Sequence, residues 1–293
     1  MQVVKYMDFL PGGNKTALVM GGKYDAETKR IINDAIMAAD PEIEQVGFVK
    51  ASDPEDFPQD PLAAPSLEMA GGEFCGNATR SAAYYYLQGR PGALTMTVSG
   101  GNQVRCGVHE NGDAWCEIPL LIGNTEAASA DTTQTVAVAP GIYKVRLSGI
   151  THLVLEPETA APFLESCAAD PEKLKAKGLE FIEKYGLMDE EAAGAVFLEK
   201  LPGGSLKIHP IVRVRDIDSL FYETACGSGT VAAAMVLARQ KGADISAGIQ
   251  QPSGMFIRAE ITLAEDGTGE KTFSRAVISG LVITDMKPRD LQL

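Results

Sequence analysis

The feature that most narrows what this chain can fold into is an internal repeat. Cys226 lies 151 residues after Cys75, and at that offset Gly76 matches Gly227, Thr79 matches Thr230, and Ala82-Ala83 match Ala233-Ala234. Self-similarity at a fixed spacing means that one supersecondary unit has been used twice. A second echo sets Gly13-Asn14-Lys15-Thr16-Ala17-Leu18-Val19 against Gly149-Ile150-Thr151-His152-Leu153-Val154 at a shorter offset, as copies with unequal insertions do. With 293 residues there is chain enough for two cores of roughly 130 to 150 residues each. The expectation is an α+β protein of two pseudo-symmetric domains, residues 1–122 and 123–275, with 276–293 returning to the first. Each would be a β-rich sheet or open barrel around a central helix, with the active site in the cleft between them.

Local patterns fill in that frame. Residues 3–9 and 16–20 read as strands around the turn Pro11-Gly12-Gly13-Asn14, and 26–39 as a helix with Ile31, Ile32, Ala35, Ile36 and Ala39 on one face. Residues 45–49 read as a short strand and 52–65 as a Pro- and Asp-rich loop. Each Cys-Gly turn then feeds a breaker-free helical run, 80–87 in the first copy and 231–241 in the second. Alternating stretches at 95–98, 103–108, 114–118, 135–156, 194–198, 207–214, 245–251, 255–263 and 277–284 read as strands. Residues 123–133 read as the linker and 171–185 as an amphipathic helix.

Charge and cysteine usage exclude several functions. The net charge of -13 is spread along the chain and repels polyanions, so no nucleic-acid partner is expected. The five cysteines are odd in number and lack a C-x-x-C pair, which argues against a disulfide framework and a structural zinc site; no metal is expected. The opening residues read as a strand, with no basic and apolar leader and no membrane-spanning run in the chain. A cytoplasmic protein with free thiols and no membrane partner is the expectation.

A thiol in the first turn of a helix meets unpaired backbone N–H groups and the positive end of the dipole, which favour the thiolate. Gly76 and Gly227 let the backbone approach a bound anion, and Asn77, Thr79, Ser228 and Thr230 add donors. A substrate carboxylate bridging the two helix starts would hold its α-carbon between the sulfurs of Cys75 and Cys226. One thiolate would take the α-proton while the opposite thiol delivers another. The helix-start donors would stabilise the enolate charge without a metal or organic cofactor. Cys106, Cys116 and Cys167 read as small core residues. Neither Gly-rich turn has the spacing of a P-loop or dinucleotide fingerprint.

At these residues the chain resembles the diaminopimelate epimerase-like superfamily, whose members open the central helices of two similar domains with Cys-Gly turns. It is most similar to the cofactor-independent histidine racemases of opine metallophore (staphylopine-type) biosynthesis. The segments that carry the likeness are Gly13 to Val19, Glu44-Gln45-Val46-Gly47-Phe48, Glu73-Phe74-Cys75-Gly76-Asn77-Ala78-Thr79 and Glu223-Thr224-Ala225-Cys226-Gly227-Ser228-Gly229-Thr230. The resemblance implies that Cys75 and Cys226 are acid and base, and that Asn14 and Gln45 hold the amino-acid head group. It implies carboxylate-binding amides at Gly76, Asn77, Gly227 and Ser228. His152 takes the place of the family's histidine near the thiols, and Glu223 that of its acidic neighbour. The chain departs from diaminopimelate epimerase in having Ile150 between Gly149 and the histidine, and in having no Arg between Arg215 and Cys226. Those departures point to an amino acid whose side chain carries no carboxylate, with histidine implied by the resemblance. Diaminopimelate or another amino acid on the same scaffold is the alternative substrate; a non-enzymatic thiol-redox or metal-binding protein is the alternative of another class. A homodimer is compatible with the sequence.

Overall fold

The structure is a computed structural model describing residues 3–50, 65–120, 134–168, 170–216, 218–265 and 269–293. The expected loop at 52–65 and the linker at 123–133 therefore lie almost wholly outside the described residues. The chain divides into one unit of Met1–Glu117 with Ser279–Leu293, and a second of Ile118–Ile278.

In the first unit, β1 (Val3–Pro11) and β2 (Lys15–Met20) form a hairpin, and α1 (Ala26–Ala39) crosses to β3 (Ile43–Val49), which lies parallel to β2. The helix α1 starts where the Asp25 carboxylate accepts from Thr28 N–H, a standard N-cap. It buries Ile32 and Ile36. Next come β4 (Leu67–Met69), antiparallel to β3, and α2 (Gly76–Leu87). The meander β5 (Gly92–Thr97), β6 (Gln103–Val108) and β7 (Ala114–Glu117) closes the run, linked to the segment before β4 through one bridge, Ser66 to Thr97. The last strands of the chain, β17 (Val282–Ile283) and β18 (Arg289–Gln292), both pair with β1.

The second unit repeats that order. The hairpin is β9 (Ile142–Leu147) and β10 (Ile150–Leu155), preceded by β8 (Thr135–Ala139). Its crossover is longer, through α3 (Pro157–Cys167) and α4 (Pro171–Lys184), to β11 (Ala192–Lys200), parallel to β10. Then come β12 (Leu206–Val214), the short β13 (Ser219–Tyr222), α5 (Gly227–Lys241), and a meander of β14 (Ile245–Gln250), β15 (Phe256–Glu265) and β16 (Lys271–Gly280). Where the first unit has a single bridge, β12 and β14 pair in parallel at Leu206–Ile249 and Lys207–Gln250.

Both central helices are enclosed by strands of their own unit: α2 packs on β1 to β7 and β17, and α5 on β8 to β12, β14 and β15. That enclosure explains their small residues. Ala78, Ala82 and Ala83 in α2, and Ala232, Ala233, Ala234 and Ala238 in α5, are fully buried. Side chains of that size let strands approach the helix from every side. The α3–α4 layer of the second unit instead covers the outside of its sheet, where Phe163, Phe181 and Phe197 pack edge to face around Leu155, Leu174 and Ile211. The sequence pattern marks α4 but not α3, whose Pro157 occupies the first helical position, where a missing N–H costs nothing. No described helix is long and apolar enough to cross a membrane.

Candidate active site

Both repeated cysteines are helix N-caps of nearly identical geometry. Cys75, at φ -126° and ψ 113°, caps α2, and its Sγ accepts from Ala78 N–H at 3.3 Å. Cys226, at φ -126° and ψ 109°, caps α5, and its Sγ accepts from Gly229 N–H at 3.3 Å. Sulfur thus fills the role that Ser, Thr, Asp or Asn oxygen usually plays, satisfying one otherwise unpaired N–H of the first turn.

The matched threonines complete the lock. The Thr79 hydroxyl donates to the Cys75 carbonyl at 2.7 Å, alongside its own N–H at 2.9 Å. Thr230 does the same to Cys226, at 2.6 and 3.0 Å. Each Cys-Gly-x-x-Thr turn therefore holds its cap from both ends. At Gly229 a Cβ would lie 3.1 Å from the Cys226 sulfur and 3.2 Å from Val196, closer than such contacts normally allow.

In the first unit the Cys75 thiol donates to Gln45 Oε1 at 2.7 Å, so the structure brings these two expected site residues together. Asn14 is fully buried, its Nδ2 donating to Glu44 at 2.6 Å and its Oδ1 accepting from the Thr16 hydroxyl at 3.0 Å. Both ends of that amide are committed to the hairpin and β3. Gly76 and Asn77 form the first two helical positions, and the Asn77 Oδ1 accepts from Arg80 at 2.9 Å. Just ahead of Cys75, burial raises the pKa of Glu73, whose Oε2 is sealed without a partner.

In the second unit Ser228 Oγ lies 2.9 Å from His152 Nε2 and 3.5 Å from the Cys226 sulfur. Complete burial brings the His152 pKa down to about 3, so the ring is neutral. Its Nδ1 is sealed with no partner. A buried unpaired acceptor is tolerated better than a buried unpaired N–H, which assigns the proton to Nε2. His152 then donates to Ser228, and the Ser228 hydroxyl proton is directed to Cys226. Gly194, opposite His152 in the β10–β11 register, makes room for the ring: a Cβ there would lie 2.1 Å from Nδ1.

Burial drives the Cys226 pKa well above the ordinary thiol value, and Glu223 adds to this through its charge and by accepting from the thiol. Ser228 and the Gly229 N–H pull the other way and are outweighed. The thiolate-favouring effect expected of a helix start is therefore overruled at Cys226 by desolvation. Burial likewise pushes Cys106 up to about 12 and raises Cys116 well above its usual range, in keeping with packing roles.

Three neighbours carry no plain signal in the sequence. Gln251, fully buried, accepts the Cys226 N–H at 3.0 Å and donates to Thr230 Oγ1 and to Ile249 O, each at 3.0 Å. Gly194 matters only through the register of β10 with β11. Arg80 sits in a run that reads as ordinary helix; only comparison with Val231 at the repeat offset marks it as unusual. Among the described residues no cluster of His, Cys, Asp and Glu could hold a metal ion.

The α+β fold is shared with solved structures of an epimerase, a probable racemase and a phenazine biosynthesis protein. A hydroxyproline epimerase from Agrobacterium vitis, solved with bound trans-4-hydroxy-L-proline, superposes with a TM-score of 0.60 at 11% identity, over 99% of this chain and 92% of the other. A probable proline racemase from Agrobacterium radiobacter K84 gives 0.61 at 12%, over 99% and 93%, and a phenazine biosynthesis PhzF-family protein from Enterococcus faecalis 0.56 at 16%, over the whole of both chains. The chain belongs to the family described as histidine racemase CntK, N-terminal domain, which matches residues 3–278. It is an isomerase of the racemase and epimerase kind. A histidine racemase of Fusobacterium nucleatum is 27% identical over 267 residues, 87% of this chain and 88% of the relative. One of Staphylococcus aureus is 26% identical over 240 residues, 78% of each.

Proposed function

We propose that this protein interconverts L- and D-histidine by cofactor-independent 1,1-proton transfer, with Cys75 and Cys226 as the two bases. The observation that supports it best is the pair of sulfur N-caps: two thiols at matching positions, each at the start of a buried helix whose first-turn N–H groups suit a carboxylate. The thiolate of one cysteine removes the α-proton, forming an S–H bond as the C–H bond breaks. The thiol of the other releases its proton to the opposite face, and the centre inverts. The backbone N–H groups of Gly76, Asn77, Gly227 and Ser228 bind the carboxylate and stabilise the enolate-like charge. Gln45, His152 and Glu223 act on the sulfurs through the contacts described, and Asn14 and Gln45 help to hold the amino-acid head group. The histidine side chain is inferred from the relatives' substrate.

The test is α-proton exchange in D₂O followed by NMR, with L- and D-histidine, the other common amino acids and diaminopimelate, under reducing conditions and without added cofactor. Deuterium incorporation with loss of optical rotation for histidine is the expected result. Exchange with a different amino acid would move the substrate and keep the mechanism. No exchange with any of them would sink the two-thiol reading for these substrates and favour the thiol-redox alternative.

A further inference from the structure

The two Cys-Gly helix starts diverge in charge. The first reads Cys75-Gly76-Asn77-Ala78-Thr79-Arg80 and the second Cys226-Gly227-Ser228-Gly229-Thr230-Val231, with both Arg80 and Val231 fully buried. Arg80 is the largest fully buried side chain among the described residues. Its two terminal nitrogens donate to Asn77 Oδ1 at 2.9 Å and to Gly280 O at 3.1 Å, and its Nε is sealed without a partner. Asn77 is the second residue of α2, and helical side chains lean back toward the N-terminus. The guanidinium is thereby pinned inside the turn that Cys75 caps. Among the described residues no carboxylate forms an ion pair with it.

An arginine does not give up its proton in a protein, and a buried charge without a counter-ion is costly. The anionic forms whose fields reach Arg80 are those of Cys116, Cys75 and Asp113. Cys116 is excluded as counter-ion because complete burial keeps it a thiol, and Asp113, the weakest of the three, lies in the β6–β7 turn with its Oδ2 accepting from Asn111 Nδ2 at 2.9 Å. Other acidic groups on the strands around α2 have partners or stay neutral, Glu68 pairing with Lys29. Asp8 pairs with Arg289 and Lys15 with Asp40, Glu44 accepts from Asn14, and Cys106 is held as a thiol. Glu117 flanks Cys116 at the end of β7, and burial raises the pKa of Glu73, upstream of Cys75. In the second unit Val231 takes the place of Arg80, the buried base near Cys226 is His152, which is neutral, and Glu223 accepts from the Cys226 thiol.

We propose that Arg80 is a positioning residue that makes the two thiols unequal: its pinned positive charge holds Cys75 as the resting thiolate, and its absence from the second unit leaves Cys226 as the resting thiol. The catalytic meaning of this rests on the two-thiol reading above. In the resting enzyme Cys75 accepts the α-proton, and Cys226 gives up its S–H proton to the other face. One turnover leaves Cys75 as thiol and Cys226 as thiolate, and exchange with solvent restores the starting state. Gln45 serves Cys75 in both forms, accepting from the thiol through Oε1 and, with its amide turned over, donating to the thiolate through Nε2.

The experiment is alkylation of the unliganded full chain by iodoacetamide across a pH series, with each cysteine read separately by mass spectrometry and normalised to its own high-pH plateau. Cys75 should react with the lower midpoint. Arg80→Met should raise that midpoint by about one pH unit or more, a roughly tenfold loss of thiolate at low pH, without moving Cys226. Arg80→Lys should restore most of it. A Cys75 midpoint unchanged in Arg80→Met, or a Cys226 midpoint below that of Cys75, would overturn the proposal. Should Arg80→Met fail to fold, ultraviolet thiolate absorbance of Cys226→Ser and Cys75→Ser decides: the first must retain the low-pH titration and the second must lose it. No substrate enters these measurements, so lack of histidine racemisation would strike the functional reading and leave this one to stand on the thiols.

Discussion

At the scale of single residues, the proposed two-base chemistry needs both sulfur N-caps, so the effects of losing them should be non-additive. Replacing either sulfur with oxygen keeps the cap hydrogen bond but removes a group able to exchange protons near neutral pH. Cys75→Ser and Cys226→Ser should each lower kcat/KM for histidine racemisation by about 10² to 10⁴-fold. The double variant should fall little further, because one missing base already interrupts the transfer. Polarimetry on the four proteins checks this; additive losses would mean that the thiols act independently. Gly194 offers a second test, since a methyl group there would lie 2.1 Å from Nδ1 and 2.6 Å from Cε1 of His152. The ring cannot stay where it is. Gly194→Ala should cost about 1–3 kcal/mol by denaturant unfolding, as overpacking does, and also slow racemisation as Ser228 loses its partner. Unfolding like that of wild type would show that the ring has somewhere else to go.

At the scale of elements, α2 and α5 are defined by what surrounds them more than by their own pattern. Ala233 is fully buried in a helix that has strands on several sides. Ala233→Leu should therefore destabilise by about 1–3 kcal/mol or more, whereas the same change on a one-sided helix would find room outward; chemical denaturation measures the difference. This enclosure also decides what could be read from the sequence. The helix α1 was legible from apolar spacing because only one of its faces is buried. The central helices were legible from the repeat, since a helix buried all round leaves no amphipathic stripe. That Gln45 belongs to one site with Cys75 and that His152 lies near a thiol could be expected only through family resemblance, because each relation spans tens of residues; the Cys75–Gln45 hydrogen bond itself was not legible. Gln251 and Gly194 were not legible: their roles arise from strand register and from atoms that meet only after folding. The short strands β13 and β18 were missed because four residues with mostly exposed or half-buried side chains carry no clear alternation.

At the scale of the whole molecule, stability should respond to pH through groups buried in the wrong charge state. His152 has a folded pKa of about 3 against about 6.5 for an unfolded histidine. Between those values the unfolded chain holds a proton that the folded protein does not, so stability falls as pH falls below about 6.5. The slope is about 1.4 kcal/mol per pH unit, or about 2 kcal/mol lost at pH 5. His209, whose pKa is lowered mainly by burial and partly restored by Glu199, works in the same direction. Asp8 and Glu73 work against it: burial raises their pKa values, so the folded state gains protons first as pH drops. A single acid melting curve would mix these contributions, but a comparison with His152→Gln separates them, because the other three groups are common to both proteins. Glutamine can donate to Ser228 as the imidazole does and cannot titrate. The stability gap between wild type and this variant, measured by denaturant unfolding at pH 7 and pH 5, should therefore shift by about 2 kcal/mol in favour of the variant at the lower pH. A gap independent of pH would mean that His152 takes up a proton in the folded state as readily as in the unfolded chain, and the neutral ring that directs the Ser228 proton toward Cys226 would have to be given up.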